Sequence, residues 1–372
     1  MADLLIAGGT DAHGRPVEVA IAGGVVVEDA TDLPSYDARG LRVLPGLLDL
    51  QVNGAAGIDL TLEPERLWEV ASALPRHGVT AFLPTVITSD PDARARALAV
   101  LAAGPPAGWG GAQPLGLHFE GPMITPARKG AHPAGWLRDP SVELVADWSR
   151  ASGVAMVTLA PELPGALDVV DALVARDVVV AVGHTEASAE QVAAAVDHGA
   201  RVATHLGNAM PALAGRTPGP VGAALADDRL VAGVIADGHH LHEATLATFW
   251  RALGTGRFLA VTDCTAALGM PDGLARLGDQ TVVVADGTVR LEDGTLAGSA
   301  ADLAQCLRVL RATTGCSLAD AVAGCTTVAA GVLGDHSRGH LGVGARGDVT
   351  LVDDDLAVVA TVVGGRLLHG GA

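Results

Sequence analysis

Four apolar runs of this chain end on a residue that can ionise: LGLHFE on Glu120, VVVAVGH on His184, RVATH on His205 and FLAVTD on Asp263. A strand buried on both faces is apolar along its length. A carboxylate or imidazole at its last position therefore carries a desolvation cost unless a cation or strong hydrogen bonds offset it. One such residue is ordinarily a satisfied core side chain or half of an ion pair. Four of them, each closing its own strand, are what a barrel of parallel strands needs to point ligating or acid/base groups into one mouth.

The elements that must carry these residues are legible as eight apolar runs: VLPGLLDL, VTAFLPTV, LGLHFE, VAMVTLAPE, VVVAVGH, RVATHL, VAGVIADG and FLAVTDC. They recur at roughly the spacing of one strand, one helix and two loops, and eight such units predict a (β/α)8 barrel. Between them EPERLWEVASALPRHG and SAEQVAAAVDHGA have the i, i+3, i+4 apolar spacing of outer helices, with Ser188 as an N-cap and Gly199 as a stop. Residues 1–45 and 340–372 lack this periodicity and read as short strands broken by Gly and Asp. They predict one small β-domain assembled from both termini around a barrel of residues 46–339, the alternative being two unrelated edge hairpins. The stretch from Gln280 to Ser299 reads as a hairpin turning at Asp286 and Gly287. The loop ARKGAHPAGWLRDP is too long for a plain connection and suits a lid or substrate contacts.

The totals narrow the function classes. The chain has 372 residues, 49% of them hydrophobic, enough to bury a large core. Lys and Arg number 24 against 42 Asp and Glu, a formal charge of −18, which argues against nucleic acid or an anionic membrane as a general partner. A small anion remains admissible where a local Arg or His site collects it. Cys264, Cys306, Cys316 and Cys325 show no C-x-x-C pairing and read as small buried hydrophobes in a reducing compartment. MADLLIAGGT has no leader pattern and no uncharged run is long enough to span a bilayer, so the expectation is a soluble, cytoplasmic protein.

The strings LPGLLDLQVNG, GLHFEGP, KGAHP, GHTEAS, THLGNAM, IADGHHLH, TDCTAALG and LAGSAADL, in this order along nearly the whole chain, resemble the N-acetylglucosamine-6-phosphate deacetylase family of the amidohydrolase superfamily. Each string alone is weak, and the ordered set is specific. The resemblance implies a barrel with a small β-sandwich, a homodimer, and hydrolysis of a phosphorylated amino-sugar acetamide to glucosamine 6-phosphate and acetate. By the same resemblance Glu120, His184 and His205 match metal ligands, and Asp263 matches the base that takes the water proton and returns it to the leaving amine. His132 matches a histidine beside the acetamide carbonyl. Arg216 and His240, with backbone N–H groups around Asn208 and Ala209, match phosphate contacts, one of which is thought to cross the dimer interface in the family. One carboxylate and two imidazoles suit a Zn²⁺-like ion with a position left for water, Fe²⁺ or another divalent ion being the alternative.

The chain departs from the wider superfamily on its first strand. Where many amidohydrolases carry His-x-His, it has Gln51 and Asn53. Amides are poor Zn²⁺ ligands, so the expectation is one metal ion per chain, with Gln51 and Asn53 among the substrate-binding positions. His118, two residues before Glu120, is read as barrel filling and not a ligand. His239 and His242 flank His240, so choosing the middle one rests on the alignment of DGHH. Gly207 stands where the family usually has an aromatic, which would loosen substrate packing beside His205 and bear on sugar specificity. The competing readings are an amidohydrolase acting on another N-acyl or cyclic amide, and a barrel that has lost catalysis and serves as a scaffold. A scaffold gains nothing from four desolvated polar strand ends.

Overall fold

The computed structural model describes residues 3–28 and 32–370. Eight parallel strands, Leu47–Val52, Val79–Ile87, Leu117–Glu120, Val154–Leu159, Val179–Val182, Val202–Ala203, Val231–Ile235 and Phe258–Val261, pair with one another in chain order. The eighth returns to the first through a parallel bridge between Val52 and Cys264 and an Asn53 N–H that donates to the Cys264 carbonyl at 2.8 Å. Beneath that bridge the buried carboxyl of Asp49 accepts from the Thr262 hydroxyl at 2.5 Å and from its N–H at 3.3 Å, lacing first strand to last. Burial pushes Asp49 up to about 7. The eight expected runs are thus the eight staves of a closed (β/α)8 barrel.

Both faces of these strands are buried, which is why they read as continuous Val, Ala and Leu and not as an alternating pattern. Leu48, Leu83, Met156, Val179, Val202 and Leu259 fill the barrel interior. The helix Thr327–Leu333 adds Val328, Ala329 and Val332 to the same cluster, next to the beginnings of the strands. The interior is therefore packed and plugged at its N-terminal end, and only the C-terminal rim is left to hold chemistry.

Several connections differ from a plain repeat. The run VLPGLLDL divides at Gly46: Arg42–Pro45 belongs to the small sheet and Leu47–Val52 to the barrel. A Cβ at Gly46 would lie 2.2 Å from Thr80 Oγ1, so only glycine permits that junction. After the third strand no α-helix follows among the described residues; the chain runs through 3-10 turns at Pro126–Arg128 and Ala134–Trp136, with the KGAHP loop between them. The helix Ala189–Asp197 starts on the expected Ser188 cap, in a reciprocal capping box with Gln191, and ends before Gly199 at φ +106°. The hairpin expected at Gln280–Ser299 is part of a larger unit: Gly273–Leu277, Gln280–Ala285, Thr288–Arg290 and Leu296–Ser299 form a four-stranded antiparallel sheet. Its first strand carries Leu274 and Arg276 toward solvent, so no apolar run announced it.

The terminal segments meet in one curled sheet. Its order is Arg366–His369, Val358–Val363, Val349–Val352, Arg42–Pro45, Leu4–Thr10, Pro16–Ala22 and Val25–Val27, with Ser35–Asp37 also pairing Leu4–Thr10. Ile6, Val19, Ile21, Val43, Leu351 and Val362 pack inside it, giving the small sandwich its own core. No helix among the described residues is long and apolar enough to cross a membrane.

Candidate metal centre and active site

Each functional side chain leaves the rim where its strand stops. His184, His205 and Asp263 all take left-handed backbone angles, with φ of 49°, 30° and 53°. Such angles are costly for residues with a Cβ and persist only when surrounding contacts impose them. At Asp263 the imposing element is the last strand of the inserted sheet. Ser299 N–H donates to the Asp263 carbonyl at 2.9 Å, Thr265 N–H to the Ser299 carbonyl at 3.0 Å, and the Ser299 hydroxyl to the Thr262 carbonyl at 2.7 Å. Gly298 makes this approach possible, since a Cβ there would stand 2.6 Å from Thr265 Cγ2 and 2.8 Å from the Asp263 carbonyl oxygen. At His205, Leu206 N–H donates to the Gly233 carbonyl at 2.7 Å.

Glu120, His184 and His205 converge on one point. His184 Nε2 and His205 Nε2 lie 3.1 and 3.0 Å from Glu120 Oε1 and 3.0 Å from each other. Around a tetrahedral ion with bonds of about 2.0–2.1 Å, neighbouring ligand atoms stand about 3.3 Å apart, close to this triangle. The tautomers point the same way. His184 Nδ1 is 2.8 Å from the Arg128 carbonyl, which can only accept, so Nδ1 carries the proton and Nε2 presents a lone pair. That lone pair faces a carboxylate oxygen and a second imidazole nitrogen. His205 Nδ1 is buried with no hydrogen-bond partner among the described residues, so nothing there prevents its Nε2 from presenting a lone pair too. Three acceptors aimed at one buried point repel unless a cation lies between them, and the donor set fits a divalent ion.

The first-strand amides turn their donors toward carboxylates. Gln51 Nε2 donates to Glu120 Oε1 at 3.1 Å, and Asn53 Nδ2 donates to Asp263 Oδ1 at 2.7 Å. Neither presents an oxygen to a second ion beside its carboxylate. Asn53 Oδ1 is buried without a partner among the described residues, an open acceptor on a side chain that lines the cavity. Burial, then the charge of Glu120, pushes Asp263 up to about 6. His132 sits beside the trio with its ring centroid 4.4 Å from that of His184 and its Nε2 3.8 Å from Glu120 Oε2. Burial, then the neighbouring His184, brings His132 down to about 3, so its ring is neutral. His118 is barrel filling: its Nε2 lies 2.8 Å from Thr158 Oγ1, deeper than the trio, and burial brings it down to about 4.

The cavity at this rim has a volume of about 310 Å³, in the range of roughly 300–1,000 Å³ that small-molecule sites occupy. Of the expected contacts, Asn53, His132, Asn208, Ala209 and His240 line it, along with Glu120, His184, His205 and Asp263. His240 Nδ1 is 2.7 Å from Asp237 Oδ2, which leaves its Nε2 uncommitted. The Asn208 N–H is engaged by the His205 carbonyl at 3.0 Å, whereas Ala209, at φ +50°, has an N–H with no partner among the described residues. Gln51 does not line the cavity; it touches Glu120 from behind. Arg216 is exposed on the loop after the sixth strand and does not line the cavity of its own chain. Gly207 is not among the lining residues either: a Cβ there would point at Leu241 and Phe249, 3.2 Å away, so its smallness bears on that packing and not on the cavity wall.

Three contributions were not legible beforehand. Arg128 reaches the cavity from the 3-10 turn before KGAHP and pairs with Glu186. Leu277 and Thr295 to Gly298 arrive from the inserted sheet. Thr88, just beyond the second strand, is fully buried against His132. The Gly in LAGS was the one available signal, since a lone Gly in a strand marks a close backbone approach.

Residues 42–368 match the amidohydrolase family. The chain is 39% identical over 352 residues to the N-acetylglucosamine-6-phosphate deacetylase of Homo sapiens, covering 89% of this chain and 84% of that protein. It is 35% identical over 332 residues to the enzyme of the same name from Bacillus subtilis, covering 87% and 84%. In structure it is similar to a mutant N-acetyl-D-glucosamine-6-phosphate deacetylase from Mycobacterium smegmatis in complex with N-acetyl-D-glucosamine-6-phosphate, with 34% identity, a TM-score of 0.91, and coverage of 99% of this chain and 100% of that one.

Proposed function

The chain belongs to the amidohydrolase family, among its N-acetylglucosamine-6-phosphate deacetylases, and from that premise we propose how its own residues remove the acetyl group. The reaction is hydrolysis of the acetamide of N-acetylglucosamine 6-phosphate to glucosamine 6-phosphate and acetate, a step of amino-sugar metabolism. The observation that carries the assignment of roles is the convergence of Glu120, His184 and His205 on one point, with Asp263 on the same rim and tethered by Asn53.

Glu120, His184 and His205 would hold a single divalent ion, for which Zn²⁺ suits a set of one carboxylate and two imidazoles with a position left open. When bound, such an ion makes a water nucleophilic near neutral pH and polarises an amide carbonyl. Asp263 takes the proton of that water and delivers it to the departing amine, so one carboxylate is base in the first half and acid in the second. Asn53 fixes Asp263 through one oxygen and leaves the other free. His132 stands where a donor to the acetyl carbonyl oxygen is needed, and the open Asn53 Oδ1 accepts from the substrate. His240, with Ala209 N–H, faces the phosphate.

Arg216, exposed and outside the cavity of its own chain, would reach that phosphate site from the partner in a homodimer, as the family resemblance implies. Acetate release from N-acetylglucosamine with and without the 6-phosphate tests both substrate and role. The wild type acts on the phosphorylated sugar. Arg216→Ala loses about ten- to hundredfold in kcat/KM on it, the worth of a charge-assisted pair, and little on the unphosphorylated one. Equal losses on both substrates, or a monomer at assay concentration with the phosphate preference intact, would assign Arg216 a merely structural part.

A further inference from the structure

His132 and His184 are adjacent imidazoles in one buried site, yet their backbone partners are opposite in kind. His184 Nδ1 faces a carbonyl, that of Arg128, at 2.8 Å. His132 Nδ1 faces the backbone N–H of Thr88 at 3.4 Å and the Thr88 hydroxyl at 2.9 Å. A carbonyl only accepts and an amide N–H only donates, so the two rings cannot carry their protons on the same nitrogen. A proton on His132 Nδ1 would meet the Thr88 N–H head-on. The bare Nδ1 instead accepts from that N–H and from the hydroxyl, whose other acceptor, the Glu120 carbonyl at 3.4 Å, is farther away.

We infer that Thr88 is a positioning residue that holds His132 in the Nε2–H tautomer, making it a hydrogen-bond donor to the substrate carbonyl where its neighbour His184 is a ligand. The inference rests on the reading of His132 given above and adds the residue that makes it a donor. Thr88 is fully buried, so no water competes for its two donors, and it sits one residue past the second strand, held in register with Glu120 through the pairing of Ile87. The same tautomer explains why His132, close to the trio, is not a fourth ligand: its Nε2 carries a proton where a ligand needs a lone pair.

Two-bond ¹H–¹⁵N correlation spectra of Zn²⁺-loaded protein with ¹⁵N-labelled histidine distinguish the tautomers, His132 being assigned from the spectrum of His132→Gln. The expected result is a protonated Nε2 and a bare Nδ1 in the wild type. A protonated Nδ1 overturns the inference, whatever the enzyme does. Thr88→Val keeps the backbone N–H and removes the hydroxyl. It should mix the tautomers and lower kcat by about tenfold, the worth of one hydrogen bond, with KM within about twofold and metal content unchanged. Thr88→Ser should restore kcat. Wild-type turnover in Thr88→Val, or a Ser variant no better than Val, counts against Thr88. If the valine variant does not fold, the wild-type spectrum still decides. A wild type with the expected tautomer that releases no acetate would instead sink the deacetylase reading and leave the tautomer assignment standing.

Discussion

Asp263→Asn is expected to abolish most turnover while leaving the metal and substrate binding in place. Asn is nearly isosteric and can still meet Asn53, but it cannot accept the water proton. General acid–base catalysis is typically worth 10² to 10⁴-fold, so kcat should fall by at least about a hundredfold with a much smaller change in KM. The pH profile carries a second signature. The proposed base role needs the ionised carboxylate of Asp263, whose pKa is raised by burial and then by Glu120 to about 6. A cation bound at the trio offsets that second cause, so the acid limb of kcat lies at or below about pH 6 in the wild type, with activity lost as pH falls through it. The residual activity of the Asn variant lacks this limb. A variant that keeps its metal and turns over near the wild-type rate would refute the role. One that loses its metal and partly recovers with excess metal would make Asp263 a ligand.

If Glu120, His184 and His205 hold the ion as proposed, His205→Ala should remove the metal and with it the reaction. Elemental analysis of the wild type should find about one divalent ion per chain, because the buried triangle of Glu120, His184 and His205 is the one ligand cluster among the described residues. Gln51 and Asn53, which would have to complete a second site, aim their N–H groups at carboxylates. Lewis acidity supplies several kcal/mol of transition-state stabilisation, so loss of the ion costs about a hundredfold to several thousandfold or more. Dialysis against a chelator should reproduce the loss in the wild type, and added Zn²⁺ should reverse it there but not in the variant. Two tightly held ions in the wild type, or full metal content in the variant, would refute the ligand set.

Glu120, His184, His205 and Asp263 were legible in the sequence because burial makes polarity informative: an ionisable residue that terminates an apolar run stands out against its neighbours. Thr88 was not, since a threonine after VTAFLPTVI is indistinguishable from β-branched core filling until its partner, 44 residues away, is known. Arg128 was hidden for the opposite reason, being one Arg in a polar loop. The barrel strands were legible because double-sided burial leaves unbroken apolar runs. Gly273–Leu277 alternates toward solvent and was lost to that criterion. The missing helix after the third strand and the division at Gly46 depend on what packs against what, here Thr80 against Gly46, and local periodicity does not carry that information.

The pairing of Arg42–Pro45 with Val349–Val352 has a consequence for the order in which the protein is made. Thr350 also receives the Leu47 N–H, 303 positions away, and donates to the Gly78 carbonyl. During synthesis at about 5–20 residues per second, the N-terminal strands therefore wait roughly 15 to 60 s with one edge of their sheet bare. A bare edge is a template for pairing with another chain, so nascent copies on one polysome are the natural competitors for it. Ribosome-bound chains arrested near position 340 should be cleaved by a dilute protease within residues 32–45 and become resistant once residues 349–369 have left the exit tunnel. Resistance before that point would mean that the first strands find another partner in the growing chain.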